Sequence, residues 1–74
     1  MTTLDEQIIA LFSEVSGKSV ALHTPISTLN LDSLDTLEAS MKMKNELNIN
    51  LSVDEFISMD TIEDLVTYAK NLRL

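Results

Sequence analysis

The chain has 74 residues, no cysteine and a formal net charge of −7. This length allows one small domain with a thin core, and the lack of cysteine excludes disulfide bonds and thiolate metal sites. The acidic balance argues against nucleic acid, which binds clustered lysine and arginine, and no apolar run reaches the ~20 residues of a membrane span. We therefore expect a cytoplasmic monomer with a single domain over residues 1–74. Its acidic surface either suits partners with basic patches or only keeps a small protein soluble, and the net charge alone does not distinguish the two.

The first predicted helix runs from Leu4 to Ser16. Thr3 and Glu6 match a capping box, in which the threonine caps the helix and the glutamate reaches back to it. Apolar residues follow at helical spacing and give this helix one apolar face. Gly17 is typical of the left-handed residue that ends a helix, so we expect the helix to stop there.

Residues 17–32 form a long connection. Connections of this length usually pack or carry function. Its apolar residues predict that it packs across the helices: Val20, Leu22, Ile26, Leu29 and Leu31. Asn30 tolerates a positive φ angle. His23 is the sole histidine, and without a second histidine or a cysteine it is interpreted as a loop residue rather than a metal ligand.

The second predicted helix runs from Ser33 to Leu47. Asp32 is a good N-cap, because its carboxylate can accept a hydrogen bond from a free backbone N–H. Asp35 and Glu38 place further acid in the first turns, where the helix dipole favours it. Ser33 then lies on the first turn with its hydroxyl in water, at a helix end that is suited to a phosphate.

This second helix has two apolar rows. One row is formed by Leu34, Leu37 and Met41, and the other is formed by Ala39, Met43 and Leu47. We expect one row to face the core and the other to stay partly exposed for a partner. The alternative is that all six side chains belong to the core.

A second capping box predicts a short third helix. Ser52 and Glu55 form this box. The helix is expected from Val53 to about Ile57, with Phe56 or Ile57 turned inward.

The fourth predicted helix has Asp60 as its N-cap and ends near Asn71. Its apolar face consists of Ile62, Leu65, Val66, Ala69 and Leu72. The first, second and fourth helices should form the bundle, with the third as a short prop. The sequence therefore predicts an all-α fold, a small four-helix bundle with three main helices and one short helix.

The residues do not indicate an enzyme or a metal centre. Ser33 has no histidine or lysine close in sequence to serve as its base. His23, Ser33 and Asp35 could in principle assemble into a nucleophilic site, but so small a bundle offers no pocket to exclude water. Helix capping explains the adjacent acidic pairs, whose spacing does not match a calcium loop. We predict no catalytic residues and no metal ligands.

The segment from Asp32 to Glu38 resembles the attachment motif of acyl carrier proteins. The resemblance extends to the chain length, the first helix, the acidic second helix and the segments 51–55 and 60–65, so it covers nearly the whole chain. It implies a 4′-phosphopantetheine arm on Ser33, between Asp32 and Leu34. A phosphopantetheinyl transferase would attach the arm using coenzyme A and Mg²⁺. The thiol of the arm would hold acyl groups as thioesters.

The resemblance also implies that the second helix binds acyl-loading and acyl-processing enzymes. Leu34 and Met41 match the exposed apolar positions that contact such enzymes. The acidic candidates for binding basic docking patches are Asp35, Glu38 and Glu46. Exposed ion pairs contribute about 0–1 kcal/mol each, so we expect electrostatic steering and brief binding.

Lys42 and Lys44 depart from the usual family pattern, which is acidic or neutral in this stretch. Two interpretations stay open. The lysines either change the choice of partner, which makes Lys42 part of the docking surface, or they only solubilise the helix. In the second case Glu38 and Lys42 form an i, i+4 pair.

An acyl chain on the arm would gain about 0.8 kcal/mol for each buried CH₂. By resemblance, Leu37, Ala39, Met43 and Leu47 match inward positions. Ala39 is small, and Met43 can repack around a guest. We expect an adaptable acyl cavity lined by Leu37, Ala39, Met43, Phe56, Met59, Ile62 and Leu65.

Three functions are consistent with these features. The first is an acyl carrier protein for fatty-acid, specialised lipid or polyketide biosynthesis, which Asp32 and the acidic second helix favour. An aminoacyl or peptidyl carrier shares the fold and the arm. A small helical interaction module, in which residues 32–34 are a plain helix cap, is the third. The sequence does not distinguish the cargo or the pathway.

Overall fold

Four α-helices and one 3₁₀ helix follow one another in the computed structural model, which describes residues 3–72 and only the backbone of Val53. The elements are α1 (Leu4–Ser16), the 3₁₀ helix (Ile26–Leu29), α2 (Ser33–Leu47), α3 (Val53–Ile57) and α4 (Ile62–Leu72). The predicted all-α bundle is confirmed, and the bounds of α1, α2 and α3 agree with the predicted ones. The 3₁₀ helix was not predicted. Within residues 3–72, no helix is long and apolar enough to cross a membrane.

The core lies where α1 packs against α2 and α4. Each helix presents one apolar face to it, because residues three and four apart lie on the same side of a helix. Phe12 of α1 stacks on Phe56 of α3, with 5.6 Å between the ring centroids. The buried apolar residues are Ile8, Leu11, Phe12, Val20, Ile26, Leu29, Ala39, Met43, Leu47, Ile49, Leu51, Phe56, Ile62, Leu65, Val66 and Ala69.

Side-chain caps fix the ends of α1 and α3. The Glu6 N–H donates to the Thr3 hydroxyl at 3.2 Å, and Gly17 ends α1 in the left-handed region with a φ of 70°. At the start of α3, the Ser52 and Glu55 side chains accept hydrogen bonds from each other's backbone N–H groups. Because one cap contributes about 0.5–2 kcal/mol, these local contacts explain why the sequence predicts the helix bounds so closely.

The start of α4 corrects one prediction. The Asp64 N–H donates to the Thr61 hydroxyl at 3.3 Å, and the Thr61 N–H donates to the Asp64 carboxylate at 3.3 Å. Thr61 is therefore the N-cap, and the prediction of Asp60 was wrong by one residue. Both candidates have an acid three residues later, Glu63 after Asp60 and Asp64 after Thr61. The Glu63 N–H, which Asp60 would have to cap, donates instead to the Leu22 carbonyl at 2.9 Å.

The connection between α1 and α2 supports the start of α4. The Ile62 N–H donates to the Thr24 carbonyl at 3.2 Å, and the Glu63 N–H donates to the Leu22 carbonyl at 2.9 Å. These are among the helix-start donors that have no partner inside the helix. The predicted packing of the connection is confirmed, since its five apolar residues are buried or pack against the core: Val20, Leu22, Ile26, Leu29 and Leu31.

Two polar contacts hold α4 against its neighbours. The Tyr68 hydroxyl donates to the Glu55 carboxylate, which also caps α3. The Lys70 ammonium lies 3.1 Å from the Asp5 carboxylate of α1. An exposed ion pair of this kind contributes only about 0–1 kcal/mol. The apolar core therefore provides most of the stability of the bundle.

Two isoleucines test this placement of the core. Ile8 is fully buried, whereas Ile57 is 71% exposed. We expect Ile8→Ala to lower the free energy of unfolding by about 2–5 kcal/mol, because it leaves a cavity. Ile57→Ala should change it by less than about 0.5 kcal/mol. Urea denaturation followed by circular dichroism measures both, and equal losses would contradict the exposed position of Ile57.

Candidate functional site

Ser33 is the first residue of α2, and its side chain is exposed. The carboxylates on either side of it cap the helix. The Asp35 N–H donates to Asp32 Oδ1 at 2.8 Å, and the Asp32 N–H donates to Asp35 Oδ2 at 3.4 Å. This reciprocal capping box turns both acids back onto the backbone and leaves the Ser33 hydroxyl in water. An external enzyme can reach the hydroxyl there.

The turn before α2 sets the position of Ser33. Asn30 ends the 3₁₀ helix in the left-handed region, with φ of 52° and ψ of 44°, as its residue type predicts. Leu29, one residue earlier, is buried in the core. After the serine, the Thr36 hydroxyl donates to the Asp32 carbonyl at 2.9 Å. The first turn of α2 is thus fixed from both sides of Ser33.

Two adjoining clefts open beside Ser33. The first has a volume of about 480 Å³, and it is lined by Leu31, Asp32, Ser33, Thr36, Leu37 and Ile57. The second has a volume of about 380 Å³, and it is lined by Ile26, Ser27, Asn30, Leu31, Thr36, Phe56, Ile57 and Met59. The clefts share Leu31, Thr36 and Ile57, so they lie side by side between the 3₁₀ helix, α2 and α3. We call the two clefts together, with all the residues that line them, the Ser33 groove.

The outer row of α2 is exposed. Leu34 is 75% exposed, Leu37 is 50% exposed and Met41 is 55% exposed. The exposure of Leu34 and Met41 agrees with the prediction. The inward placement of Leu37 was wrong, because Leu37 lies three residues after Leu34 and four before Met41 and therefore shares their face. The outer row forms the floor of a shallow groove of about 400 Å³ along α2.

The seven residues predicted to line an acyl cavity lie in three places. Phe56 and Met59 line the Ser33 groove, and Leu37, on the outer row, also lines the end of that groove beside Ser33. The other four are buried in the core and at most 2% exposed: Ala39, Met43, Ile62 and Leu65. Close packing of these side chains fills the space between the helices. Their role as a cavity lining stays a prediction.

Ile57 belongs to the site, although the sequence analysis did not place it there. The capping box sets the start of α3, and Phe56 turns into the core. Because successive helical residues point about 100° apart, an inward Phe56 leaves Ile57 facing out, beside Ser33 and Thr36. The apolar pattern of the sequence allowed either Phe56 or Ile57 to face inward. The packing of Phe56 against Phe12 decides between them.

The predicted pair between Glu38 and Lys42 is replaced by a contact with another helix. The Lys42 ammonium lies 3.1 Å from Glu14 of α1 and 3.7 Å from Glu46 of α2. The hydrogen bond to Glu14 and the charge of that carboxylate raise the pKa of Lys42, and Glu38 has the smallest part in this shift. Lys42 pairs with Glu14 because of the way α1 packs against α2. The spacing of residues along α2 could not predict this partner.

The site contains no assembled metal cluster among residues 3–72. His23 is exposed in the connection between α1 and α2. No group of three or more histidine, aspartate or glutamate side chains in these residues is placed to hold a metal ion.

Comparisons with known proteins match this chain along nearly its whole length. A family model described as a phosphopantetheine attachment site matches residues 6–69. An acyl carrier protein of Azobacteroides pseudotrichonymphae is 34% identical over 76 positions, which cover 96% of this chain and 89% of that protein. An acyl carrier protein of Rickettsia typhi is 31% identical over 71 positions, which cover 90% of this chain and 83% of that protein.

A third relative is much longer. Surfactin synthase subunit 3 of Bacillus subtilis is 33% identical over 69 positions, which cover 92% of this chain but only 5% of that protein. No solved structure gave a significant match.

The contact between Lys42 and Glu14 predicts a pH-dependent contribution to stability. Because the folded state raises the pKa of Lys42 above its ordinary 10.5, the stabilisation is complete below that value and is lost as the pH rises through the raised pKa. We expect Lys42→Met to be less stable than the natural chain near neutral pH, with the difference shrinking in alkali. Urea denaturation at a series of pH values measures the difference in the free energy of unfolding between the two proteins.

Lys44→Met is the matched control, because Lys44 is an exposed lysine two residues further along the same helix. It should change stability less than Lys42→Met near neutral pH. An equal effect of the two substitutions would show that the contact with Glu14 does not stabilise the bundle.

Proposed function

This chain belongs to the phosphopantetheine-attachment family of carrier proteins, and we propose that Ser33 is the residue that receives the 4′-phosphopantetheine group. The observation that carries this proposal is the exposed Ser33 hydroxyl at the first residue of α2. The neighbouring Asp32 and Asp35 cap the backbone, so they do not cover the hydroxyl. The groove beside Ser33 leaves room for an attached group.

In the proposed attachment, the carrier supplies the oxygen nucleophile and a separate transferase supplies the catalysis. The Ser33 oxygen forms a phosphodiester bond with the phosphopantetheine portion of coenzyme A. The bond to the adenosine bisphosphate portion breaks, and a base on the transferase takes the hydroxyl proton. A helix N-terminus stabilises a phosphate by only about 0.3–1 kcal/mol, so the start of α2 positions the group more than it binds it.

The chain carries acyl groups, for which the attached 4′-phosphopantetheine provides a thiol that forms thioesters. The two acyl carrier relatives align with most of both chains, which supports acyl cargo. The surfactin synthase match keeps a peptidyl carrier as the second candidate. Our proposal places the carrier in the cytoplasm and in fatty-acid, specialised lipid or polyketide biosynthesis.

We propose the outer row of α2 as the surface that docks the transferase and acyl-processing enzymes. Leu34 and Met41 offer exposed apolar contacts next to Ser33. Asp35 and Glu38 lie along the same shallow groove and suit a basic patch on the partner. Lys42 and Glu46 also belong to the proposed surface. Lys42 pairs with both Glu46 and Glu14, which reduces the charge that this part of the surface offers to a partner.

The attachment site can be tested by mass spectrometry. After incubation with coenzyme A, Mg²⁺ and a broad-specificity phosphopantetheinyl transferase, we expect the mass to rise by one phosphopantetheine group. Ser33→Ala should show no increase. Ser40→Ala is the control, because Ser40 lies on the same helix and its hydroxyl has no partner in the structure that a substitution would remove. No increase in the natural chain would favour the non-carrier interaction module.

The docking surface can be tested by reversing one charge. Glu38 is exposed on α2, and Glu38→Lys should lower the kcat/KM of the transferase by about twofold to tenfold, the range expected for lost and reversed exposed ion pairs. Raising the salt concentration should narrow this difference. The control is Glu63→Lys, the same change at an exposed position of α4. An equal loss in both variants would argue for an effect of net charge alone.

A further inference from the structure

The outer row of α2 carries opposite charges on its two sides. Because successive helical residues point about 100° apart, the residues three positions before and after Met41 lie about 60° to either side of it. Those residues are Glu38 and Lys44, and both are exposed. An acid and a base therefore flank the apolar side chain of Met41.

The side of the row that contains Glu38 faces α1 and is acidic. Glu38 and Lys42 line the same shallow groove, and the Lys42 ammonium lies 3.1 Å from the Glu14 carboxylate of α1. We call this side the α1 edge. It contains four carboxylates and one ammonium, those of Glu14, Asp35, Glu38, Glu46 and Lys42. The α1 edge therefore offers mainly negative charge to a partner.

The other side of the row lies beside α3, and Lys44 is its charged residue on α2. Lys44 comes about three helical turns after Ser33, so both residues lie on the same side of α2. Ser33 lines a cleft together with Ile57 of α3, which places this side next to α3. We call it the α3 edge. Between Ser33 and Lys44 it contains Leu37 and Ser40, which are uncharged.

The two lysines of α2 differ in what their charges contact. Lys42 pairs with Glu14 and with Glu46. Lys44 has no ion-pair partner within residues 3–72. The helix dipole favours a cation in this last turn of α2, and the Lys44 side chain stays exposed. Lys42 therefore supports the packing of α1 against α2, whereas the charge of Lys44 is available to a partner.

The apolar row between the two edges suits an amphipathic helix. Leu34 and Met41 are more than half exposed, and they lie along the floor of a shallow groove that follows α2. An amphipathic helix binds such a groove through apolar side chains at helical spacing. Charged residues on either side of its apolar face would then meet the α1 edge and the α3 edge.

We propose that the outer row binds a helix of an acyl-processing enzyme that is basic toward the α1 edge and acidic toward the α3 edge, with its acid opposite Lys44. This inference rests on the proposed docking surface, to which it adds an acidic contact and one direction of binding. A helix that is basic on both sides would place a cation against Lys44. Such repulsion between like charges selects against a wrong partner.

Two helical peptides of identical composition provide the test. Each is a hydrocarbon-stapled helix of about 14 residues, long enough to cover the outer row, with a row of leucines. The bipolar peptide has arginine on one side of the leucines and glutamate on the other. The mixed peptide has the same arginines and glutamates distributed over both sides. Because their net charges are equal, a difference in affinity reports the arrangement of charge.

Binding to the full chain is measured by NMR titration at low salt. We expect the bipolar peptide to bind about twofold to tenfold more tightly than the mixed peptide, as exposed ion pairs allow. Raising the salt concentration should narrow this difference. A spin label at the start of the bipolar peptide should broaden signals at one end of α2 only, because one direction of binding satisfies both edges.

Matched variants identify the lysine responsible. Lys44→Glu should abolish the preference for the bipolar peptide, because the glutamates of that peptide would meet another acid. Lys70→Glu is the control, since it makes the same change of charge on α4, outside the shallow groove, and it should keep the preference. Circular dichroism verifies the fold of both variants. Lys44→Met, which introduces no repulsion, should weaken the preference without reversing it.

The outcomes separate this inference from the proposed function. Absence of binding by both peptides, or shifts that avoid Leu34, Leu37 and Met41, overturns the docking surface and this inference with it. Binding at the outer row with equal affinity for the two peptides overturns this inference alone. An equal loss of preference in Lys44→Glu and Lys70→Glu also overturns it. The mass increase at Ser33 tests the carrier function independently, because it does not depend on either peptide.

Discussion

The core of this bundle accepts only one apolar row of α2, and the functional surface depends on the row that is left outside. Ala39, Met43 and Leu47 are buried in the core, where α1 packs against α2. A domain of this size has few interior positions, so the outer row stays in water. Because a helix fixes the angle between its faces, packing of the inner row also sets the direction of Leu34 and Met41. The proposed docking surface is thus determined by the packing on the opposite side of the helix.

Local chemistry was sufficient to predict most of the secondary structure. Thr3, Gly17 and Ser52 each act on residues at most four positions away, and those contacts can be inferred from sequence spacing alone. The start of α4 shows the limit of this approach. Asp60 and Thr61 are both good caps, and each has an acid three residues later. The bond from the Glu63 N–H to the distant Leu22 carbonyl leaves Thr61 as the cap. The exposed Ser33 was predictable for the same local reason, because its capping acids are its neighbours in the chain.

Contacts between helices could not be predicted in this way. Glu14 is 28 residues from Lys42, and only the packing of α1 on α2 brings the two charges together. The exposed Ile57 follows from the burial of Phe56 against Phe12, another contact between helices. The Ser33 groove depends on three separate elements and has no signal within any one of them. Leu37 is a different case, because its spacing from Leu34 and Met41 places it on the outer row, whereas the resemblance to acyl carrier proteins implied an inward position.

The capping box of α2 also affects how a group held at Ser33 can move. Asp32 and Asp35 place two negative charges within one turn of the serine. A phosphodiester adds a third, and like charges so close together repel each other. This repulsion offsets part of the attraction between a phosphate and the helix N-terminus, so the start of α2 would position the phosphate but bind it weakly. Contacts between the protein and the distal part of such a group could therefore form and break while the phosphodiester at Ser33 stays in place.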